Sequence, residues 1–429
     1  MTEGSARAAS EASTVSVADI ERAWKAIRAH VRRTPLVEAP RFPGLPEGSV
    51  YLKLENLQRT NSFKLRGATN RIARLPEEAA RRGVIAASAG NHAQGVALAA
   101  RTRGIPATIV MARTASPLKV ASTRRLGATV VLHGGDYEEA SEEATRRAKA
   151  DGLTYIHPFD DLDVIAGQGT LGREILEDLP GVRRIVAGVG GGGLVAGLAS
   201  AVQDHRPPVE VVGVQPRGAG TLVASLAEGH VVVGGPPNTI ADGLATRHIG
   251  DLPFRILRDR GVKAFEVDDT SIARAAFLLL EQAKVLAEGA GATPLAALLE
   301  HPELAQDGPV VLVVSGGNLD PFLLDRILFI GLSAEGRLLR LRAGLKDAPG
   351  RLAEFLGVAA ASDANVRHIV HDRESPDRPP GEVAVEVELE VQDRRHAESV
   401  LAAYRDRGWG VEELPRPSDR TRADPEKRV

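Results

Sequence analysis

No cysteine occurs among the 429 residues, which excludes disulfides, thiolate metal sites, iron–sulfur clusters and cysteine nucleophiles together. Nor does any apolar stretch reach the roughly 18 residues that a membrane-spanning helix requires. Charge of one sign is also missing. A formal net charge of -2 and a pI near 6.6 leave no electrostatic footprint for nucleic acid or an anionic membrane. The segment Met1–Ser16 is rich in Ala and Ser, carries Glu3 and Glu11 and has no apolar core, so it does not read as a secretory signal. No repeat and no low-complexity tract appears between the ends. A cytoplasmic enzyme is the default expectation.

What is present fits a globular protein of two to three domains, with 43% hydrophobic and 26% charged residues. Apolar, β-branched runs predict strands at Val50–Leu54, Val84–Ala87, Ala107–Val110, Thr129–Leu132, Arg184–Ala187, Glu210–Val214 and Val310–Val314. Helical patterns at His92–Arg103, Pro117–Leu126, Tyr137–Ala150 and Ile272–Ala287 lie between them. This alternation predicts βαβ units and an α/β fold of mainly parallel sheets, whose ligands bind at the carboxyl ends of the strands. After Gly331 the pattern changes. Strands at Arg337–Ala343, Ala364–His371, Val383–Val391 and Gly410–Leu414 and helices at Pro349–Ala361 and Arg394–Arg407 give the order βαββαβ of a ferredoxin-like module. The expected organisation is a disordered segment 1–16, a region 17–330, a linker 331–336, the module 337–414 and a disordered tail 415–429.

Three segments directly follow predicted strands and carry chemistry. Gly190-Gly191-Gly192-Gly193, before the helical run from Leu194, leaves backbone amides uncovered by side chains at a helix start, an anion site. It lacks the Lys-Ser/Thr of a Walker loop, and no acidic residue closes the next strand as in a dinucleotide fingerprint. Ser88-Ala89-Gly90-Asn91-His92 offers hydroxyl, amide and backbone donors to a carboxylate, although Ser88 or Asn91 equally suits a helix N-cap. His92, in a helix's first turn, reads as structural rather than as a base. Ser315 ends the apolar run Pro309–Val314 and suits a strand-end cap as well as a ligand contact. Earlier, Lys64 follows Phe63; by itself it is an ordinary solvated lysine, but a partly desolvated one serves as a Schiff-base amine. Phe63 suits packing on a flat ring, and Gly67 lets a helix begin close to a ligand. His368, His371 and Asp372 sit on a strand-like segment with poor spacing for a metal. An amine for an aldehyde, a bare turn for a phosphate and a hydroxyl for a ring nitrogen together suit pyridoxal phosphate.

The runs Ser62-Phe63-Lys64-Leu65-Arg66-Gly67-Ala68, Ser88–Gly95, Gly190–Leu194 and Ser315–Asn318 resemble the fold type II pyridoxal-phosphate enzymes, specifically the threonine ammonia-lyase (threonine dehydratase) group. Arg33-Thr34-Pro35-Leu36, Lys53–Gln58, Gly167-Gln168-Gly169-Thr170 and Ala241-Asp242-Gly243-Leu244-Ala245 extend the resemblance over residues 17–330. It implies a tryptophan synthase β-like pair of subdomains, the smaller at about 56–155. Lys64 is then the catalytic residue that carries the cofactor and shuttles the α-proton. Phe63 and Asn91 contact the ring and its 3'-oxygen, Gly190, Gly191, Gly192, Gly193 and Leu194 hold the phosphate, and Ser315 meets the pyridine nitrogen. Ser88, Ala89, Gly90, Asn91 and His92 take the substrate carboxylate. The implied reaction is loss of water from L-threonine to 2-oxobutanoate and ammonia, with L-serine as a side substrate.

Residues 337–414 resemble an ACT domain, with regulatory positions at Asp347, Pro349 and Gly350 of an Asp-x-Pro-Gly turn and at Asn365. That resemblance implies an amino-acid effector, isoleucine or valine, in isoleucine biosynthesis, and a homodimer or homotetramer. Three departures matter. Asn61 stands where the family often has glycine, Ala89 where its serine racemases have a second serine, and Gln215 where some relatives place a metal-binding glutamate, so no metal is expected. The competing readings are an L-serine or hydroxyaspartate dehydratase, a β-replacing enzyme like the cysteine synthases, and an inactive amino-acid sensor.

Overall fold

A computed structural model describes residues 14–374 and 379–414. The chain divides into two compact units between Asp320 and Pro321. The first opens with α1 (Val17–Ile27), whose N-terminus Ser16 closes by accepting from the Asp19 amide at 3.2 Å. Strands β1 (Leu36–Glu38) and β2 (Val50–Leu54) pair antiparallel. The chain then passes through α2 (Lys64–Ala73) and α3 (Glu77–Arg82) into a small sheet. Its elements are β3 (Val84–Ala87), α4 (Asn91–Arg103), β4 (Ala107–Met111), α5 (Pro117–Arg125), β5 (Thr129–Leu132), α6 (Tyr137–Asp151) and β6 (Thr154–Tyr155). Its strands run parallel in the order β5-β4-β3-β6.

Helix α7 (Leu162–Asp178) leads back to the larger sheet, which β7 (Arg184–Gly188), β8 (Glu210–Pro216), β9 (Lys263–Val267) and β10 (Val310–Val314) complete. Between these strands lie α8 (Gly193–Ala201), α9 (Leu222–Glu228), α10 (Asp251–Asp259), α11 (Asp269–Glu281) and α12 (Gly289–Glu300). The order is β1-β2-β10-β7-β8-β9, parallel except at β1. Strand β10 is buried at every position, as a continuous apolar run in the middle of a parallel sheet covered on both faces must be.

The second unit holds α13 (Pro321–Ala334), β11 (Leu338–Lys346), α14 (Arg351–Ala361), β12 (Asn365–Asp372), β13 (Glu382–Glu390), α15 (Arg394–Asp406) and β14 (Val411–Glu413). Its antiparallel order β12-β13-β11-β14 is the ferredoxin-like βαββαβ arrangement. Alternation sorts the faces. Leu339, Leu341, Val385 and Val387 pack on Phe355 and Tyr404, while Arg342 and Glu386 pair on the opposite face at 2.5 Å. No helix among the described residues is long and apolar enough to cross a membrane.

The structure differs from the sequence expectations in four places. Residues 1–13 and 415–429 lie outside the described residues, but at 14–16 Val15 is buried and Ser16 caps α1, in place of the expected disorder. Helix α13 runs through Gly331 into the expected linker 331–336, because its apolar sequence begins at Pro321, a residue suited to a first helical turn. The helix expected over Ile272–Ala287 ends at Glu281, and Lys284 turns the chain with a φ of 58°. Strands β1, β6 and β9 escaped the sequence reading because the first two are short and the third is a half-buried edge strand of mixed polarity.

Candidate active site

Lys64 is the first residue of α2, and Ser315 directly follows β10. Backbone pairing joins them. The Phe63 amide donates to the Ser315 carbonyl at 3.0 Å, Ser62 bridges Gly316, and the Gly317 amide donates to the Asn61 carbonyl at 2.9 Å. Asn61 adopts a φ of 56°, the left-handed backbone that Asn tolerates. Ser315 is buried, and Lys64 is partly buried against the Phe63 ring. The Lys64 Nζ donates to the Pro158 carbonyl at 3.0 Å and forms no ion pair among the described residues. Burial lowers its pKa to about 8, with Glu288 opposing the shift, so a useful fraction of neutral amine exists near neutral pH.

The glycine run lies between β7 and α8. The amides of Gly190, Gly191, Gly192, Gly193 and Leu194 meet no acceptor among the described residues. Packing also requires these glycines. A Cβ at Gly191 would overlap the Phe159 ring, and Gly192, with a φ of 89°, faces Ile249 and Pro253. The side chain of Thr246 lies against Gly190, and its buried Oγ1 has no hydrogen-bond partner. Free amides at a helix start and an orphaned hydroxyl suit a phosphate. With the amine of Lys64 and the hydroxyl of Ser315, the donor set fits pyridoxal phosphate.

Ser88, Ala89 and Gly90 form the turn from β3 into α4. Ser88 does not cap the helix; its Oγ accepts from the Gly90 amide at 3.1 Å. Helix α4 has no side-chain cap, and the amides of Ala89, Asn91 and His92 take no acceptor among the described residues, an arrangement suited to a carboxylate. The His92 ring is buried with Nε2 at 2.8 Å from the Ile156 carbonyl, so that nitrogen carries the proton. Burial, aided by Lys64, lowers its pKa to about 3 and keeps the ring neutral. Only its backbone amide faces the turn's chemistry.

Glu288 was not singled out from the sequence. It precedes α12, is buried, and accepts from the Asn91 Nδ2 at 2.7 Å. Burial, and then the negative charge of Asp242, raise its pKa to about 7. Asp242 pairs in turn with Lys119 of α5 at 2.7 Å, linking the small sheet's helix to the turn after Ala241. The available sequence signal was an acid just before two glycines, Gly289 and Gly291, which lie close against Ala241 and Gly316.

Several motif residues instead hold the scaffold. Gly67 does not serve the ligand side. A Cβ there would strike Gln168 of α7, whose Oε1 accepts from the Gly67 amide at 3.1 Å. Arg66 is fully buried between Glu55 and Glu174, with contacts of 2.8 Å to each. Lys53, equally buried, pairs with Glu174 at 2.9 Å and Asp178 at 3.2 Å. Gln215 spends its amide on the Val189 carbonyl and on the amides of Thr221 and Leu222. In the second unit, Asp347, Pro349 and Gly350 form the turn from β11 to α14, Gly350 at a φ of 87°, and Asn365 begins β12 opposite Glu390. Arg373 pairs with Asp347 at 3.2 Å.

Residues 27–316 match the family of pyridoxal-phosphate dependent enzymes. The chain is 45% identical to an L-threonine ammonia-lyase of Thermotoga maritima, over 92% of this chain and 99% of that protein. It is 41% identical to a catabolic L-threonine dehydratase of Staphylococcus aureus, over 74% of this chain and 93% of that protein. Among solved structures, maize serine racemase superposes with a TM-score of 0.70 at 34% identity, covering 75% of this chain and 99% of that one.

Proposed function

Because the chain belongs to the pyridoxal-phosphate dependent enzymes, we propose that Lys64 holds the cofactor's aldehyde and that the reaction removes water from L-threonine. The products are 2-oxobutanoate and ammonia, released after the resulting enamine hydrolyses. The observation that carries this reading is the Lys64 amine, its pKa lowered to about 8, held at the Pro158 carbonyl while the next residue, Phe159, packs on the glycine turn of unengaged amides. When bound, the cofactor supplies an aldehyde for the substrate amine and a ring that withdraws electrons from the α-carbon. Gly190 to Leu194, with Thr246, would hold the phosphate, Phe63 would pack on the ring, Asn91 would donate to its 3'-oxygen, and Ser315 would serve its nitrogen. Ser88 and the amides of Ala89, Asn91 and His92 would orient the substrate carboxylate, and the Lys64 Nζ would take the α-proton. Ser315 supplies a hydroxyl where a carboxylate would enforce protonation of the ring nitrogen. A hydroxyl there would leave the bound cofactor less electron-withdrawing, which would favour loss of the β-hydroxyl over racemisation. Ala89 has no hydroxyl to protonate the opposite face, which also disfavours racemisation despite the likeness to maize serine racemase.

The threonine ammonia-lyase of Thermotoga maritima matches 92% of this chain, a span that reaches beyond Asp320 into the second unit. We read residues 337–414 as an ACT-type sensor for isoleucine or valine, with Asp347, Pro349, Gly350 and Asn365 at its site, in a cytoplasmic homo-oligomer. The test is 2-oxo acid release by the cofactor-loaded protein, with L-threonine and L-serine side by side. Fast 2-oxobutanoate formation is expected. A loaded but inactive protein would move the assignment to another β-substituted amino acid or to β-replacement. Kinetics unchanged by added isoleucine and valine would remove the regulatory reading.

A further inference from the structure

Asn91 is the end of a chain of amides whose direction is set far from it in sequence. The Thr60 carbonyl can only accept, so the nitrogen of the Asn318 side chain must face it, at 2.9 Å. That same nitrogen donates to the Asn91 Oδ1 at 2.7 Å, while the Asn61 Nδ2 donates to the Asn318 Oδ1 at 3.2 Å. The Asn91 amide is thereby turned with its nitrogen toward Glu288, whose Oε1 accepts at 2.7 Å. The reversed amide would set nitrogen against nitrogen at Asn318 and, with Glu288 ionised, oxygen against oxygen at Glu288. Each mismatch would leave polar atoms facing each other unpaired in a part-buried site. One Nδ2 hydrogen is used by Glu288 and the second is left over.

Gly316 is what brings Glu288 this close. A Cβ there would strike the Glu288 carboxyl and crowd the Asn91 nitrogen at 3.2 Å. The Glu288 amide also donates to the Gly316 carbonyl at 3.1 Å, tying the carboxyl to the segment that carries Ser315. The reaction described above gives no task to Glu288, Asn318 or the Thr60 carbonyl.

We propose that Glu288 and Asn318 are positioning residues that lock the Asn91 amide with its spare N–H directed to the cofactor's ring oxygen. This inference rests on the reading in which Asn91 faces the ring. The direction is enforced from both ends, by an acceptor at Glu288 and a donor at Asn318. Loss of either end lets the amide turn over and presents an oxygen where a donor is needed.

The test uses the full-length protein titrated with pyridoxal phosphate, reading the dissociation constant and the visible absorbance of the bound cofactor. Asn91→Ala is expected to weaken binding about tenfold and to shift the absorbance, and Glu288→Ala to do the same. The double variant should be no worse than Asn91→Ala alone, because Glu288 acts through Asn91. Glu288→Gln keeps an acceptor oxygen of similar reach and should stay within about twofold of the parent. Losses that add in the double variant, or Glu288→Ala with unaltered affinity and absorbance, would overturn the inference. Should Glu288→Ala fail to fold, Asn318→Asp sets an acceptor against the Asn91 oxygen and should move the absorbance in the same direction; no movement would overturn it equally. Unchanged binding and absorbance in Asn91→Ala would instead sink the reading of Asn91 at the ring, and the inference with it.

Discussion

Lys53 and Lys64 stand at opposite ends of one short connection, the first fully buried and the second partly so. Lys53 is fully buried but surrounded by partners: Glu174, Asp178 and the Thr34 carbonyl. Arg66 completes that cluster with Glu55, whose carboxyl burial would push up but Arg66 holds below the ordinary range. Lys64 has one carbonyl and no ion pair among the described residues, and burial moves its amine toward neutrality. The first cluster sets each charge against an opposite one and joins β2, α2 and α7. The second leaves its charge unbalanced, which costs stability and yields a nucleophile. What separates the structural from the chemical lysine here is the partner set, since the less buried of the two is the one whose amine is pushed toward neutrality.

The sharpest way to break the comparison is Lys64→Ala. It should abolish turnover by several orders of magnitude, because the anchoring and proton-transfer roles disappear together, while the fold survives loss of an unpaired charge. Retained 2-oxo acid release would show that another amine serves. Lys53→Met should do the reverse. Removing one partner from a buried cluster leaves Glu174 and Asp178 undercompensated, at a cost of roughly 3–5 kcal/mol in unfolding free energy. A denaturation midpoint near that of the parent would show that Lys53 is not holding the scaffold.

The depressed pKa of Lys64 gives a pH test on the cofactor-free protein. A lysine lowered from 10.5 to about 8 loses its proton in the folded state while an unfolded one still holds it. Labelling of Lys64 by an amine-selective reagent should therefore rise with a midpoint near pH 8, well below the 10.5 of a free lysine side chain. At neutral pH this amounts to about two orders of magnitude more neutral amine than an ordinary lysine offers. A midpoint near 10.5 would mean that water reaches the amine freely.

In the sequence Lys53 stands only inside a run of the family resemblance, and Lys64 reads as functional only in company with the glycine run and Ser315. The glycine run, Ser315 and Ser88–Gly90 were legible because each directly follows an apolar strand, and a parallel sheet gathers such ends on one side. Strands β2, β3, β5 and β10 were legible to the residue because β-branched runs there stop at polar or glycine punctuation. Glu288 was not, since its partners Asn91 and Asn318 meet it only through the folded turn at Gly316. Gly67 misled for the same reason. Its contact is Gln168 on another helix, and a glycine in a helix start carries no mark of which side it serves.

Lys119 extends the comparison to a third lysine, paired like Lys53 but open to water. Its side chain is 31% exposed and that of Asp242 is 55% exposed. Burial would lower its pKa, but Asp242 beside it keeps it above the usual value. For a raised lysine, the stabilisation is full below pH 10.5, and it is lost as pH climbs through the folded-state value. Solvent and salt weaken such a pair, so Lys119→Ala should cost no more than about 1 kcal/mol at low ionic strength. The difference from the parent should fade at ~1 M salt. The same substitution removes a positive charge that holds the Glu288 carboxyl down, so Glu288 should titrate still higher. If Lys119→Ala destabilised the protein as much as Lys53→Met, and salt made no difference, exposure would not be what separates the two pairs, and the pair between α5 and Asp242 would have to be a buried contact under the conditions of the measurement.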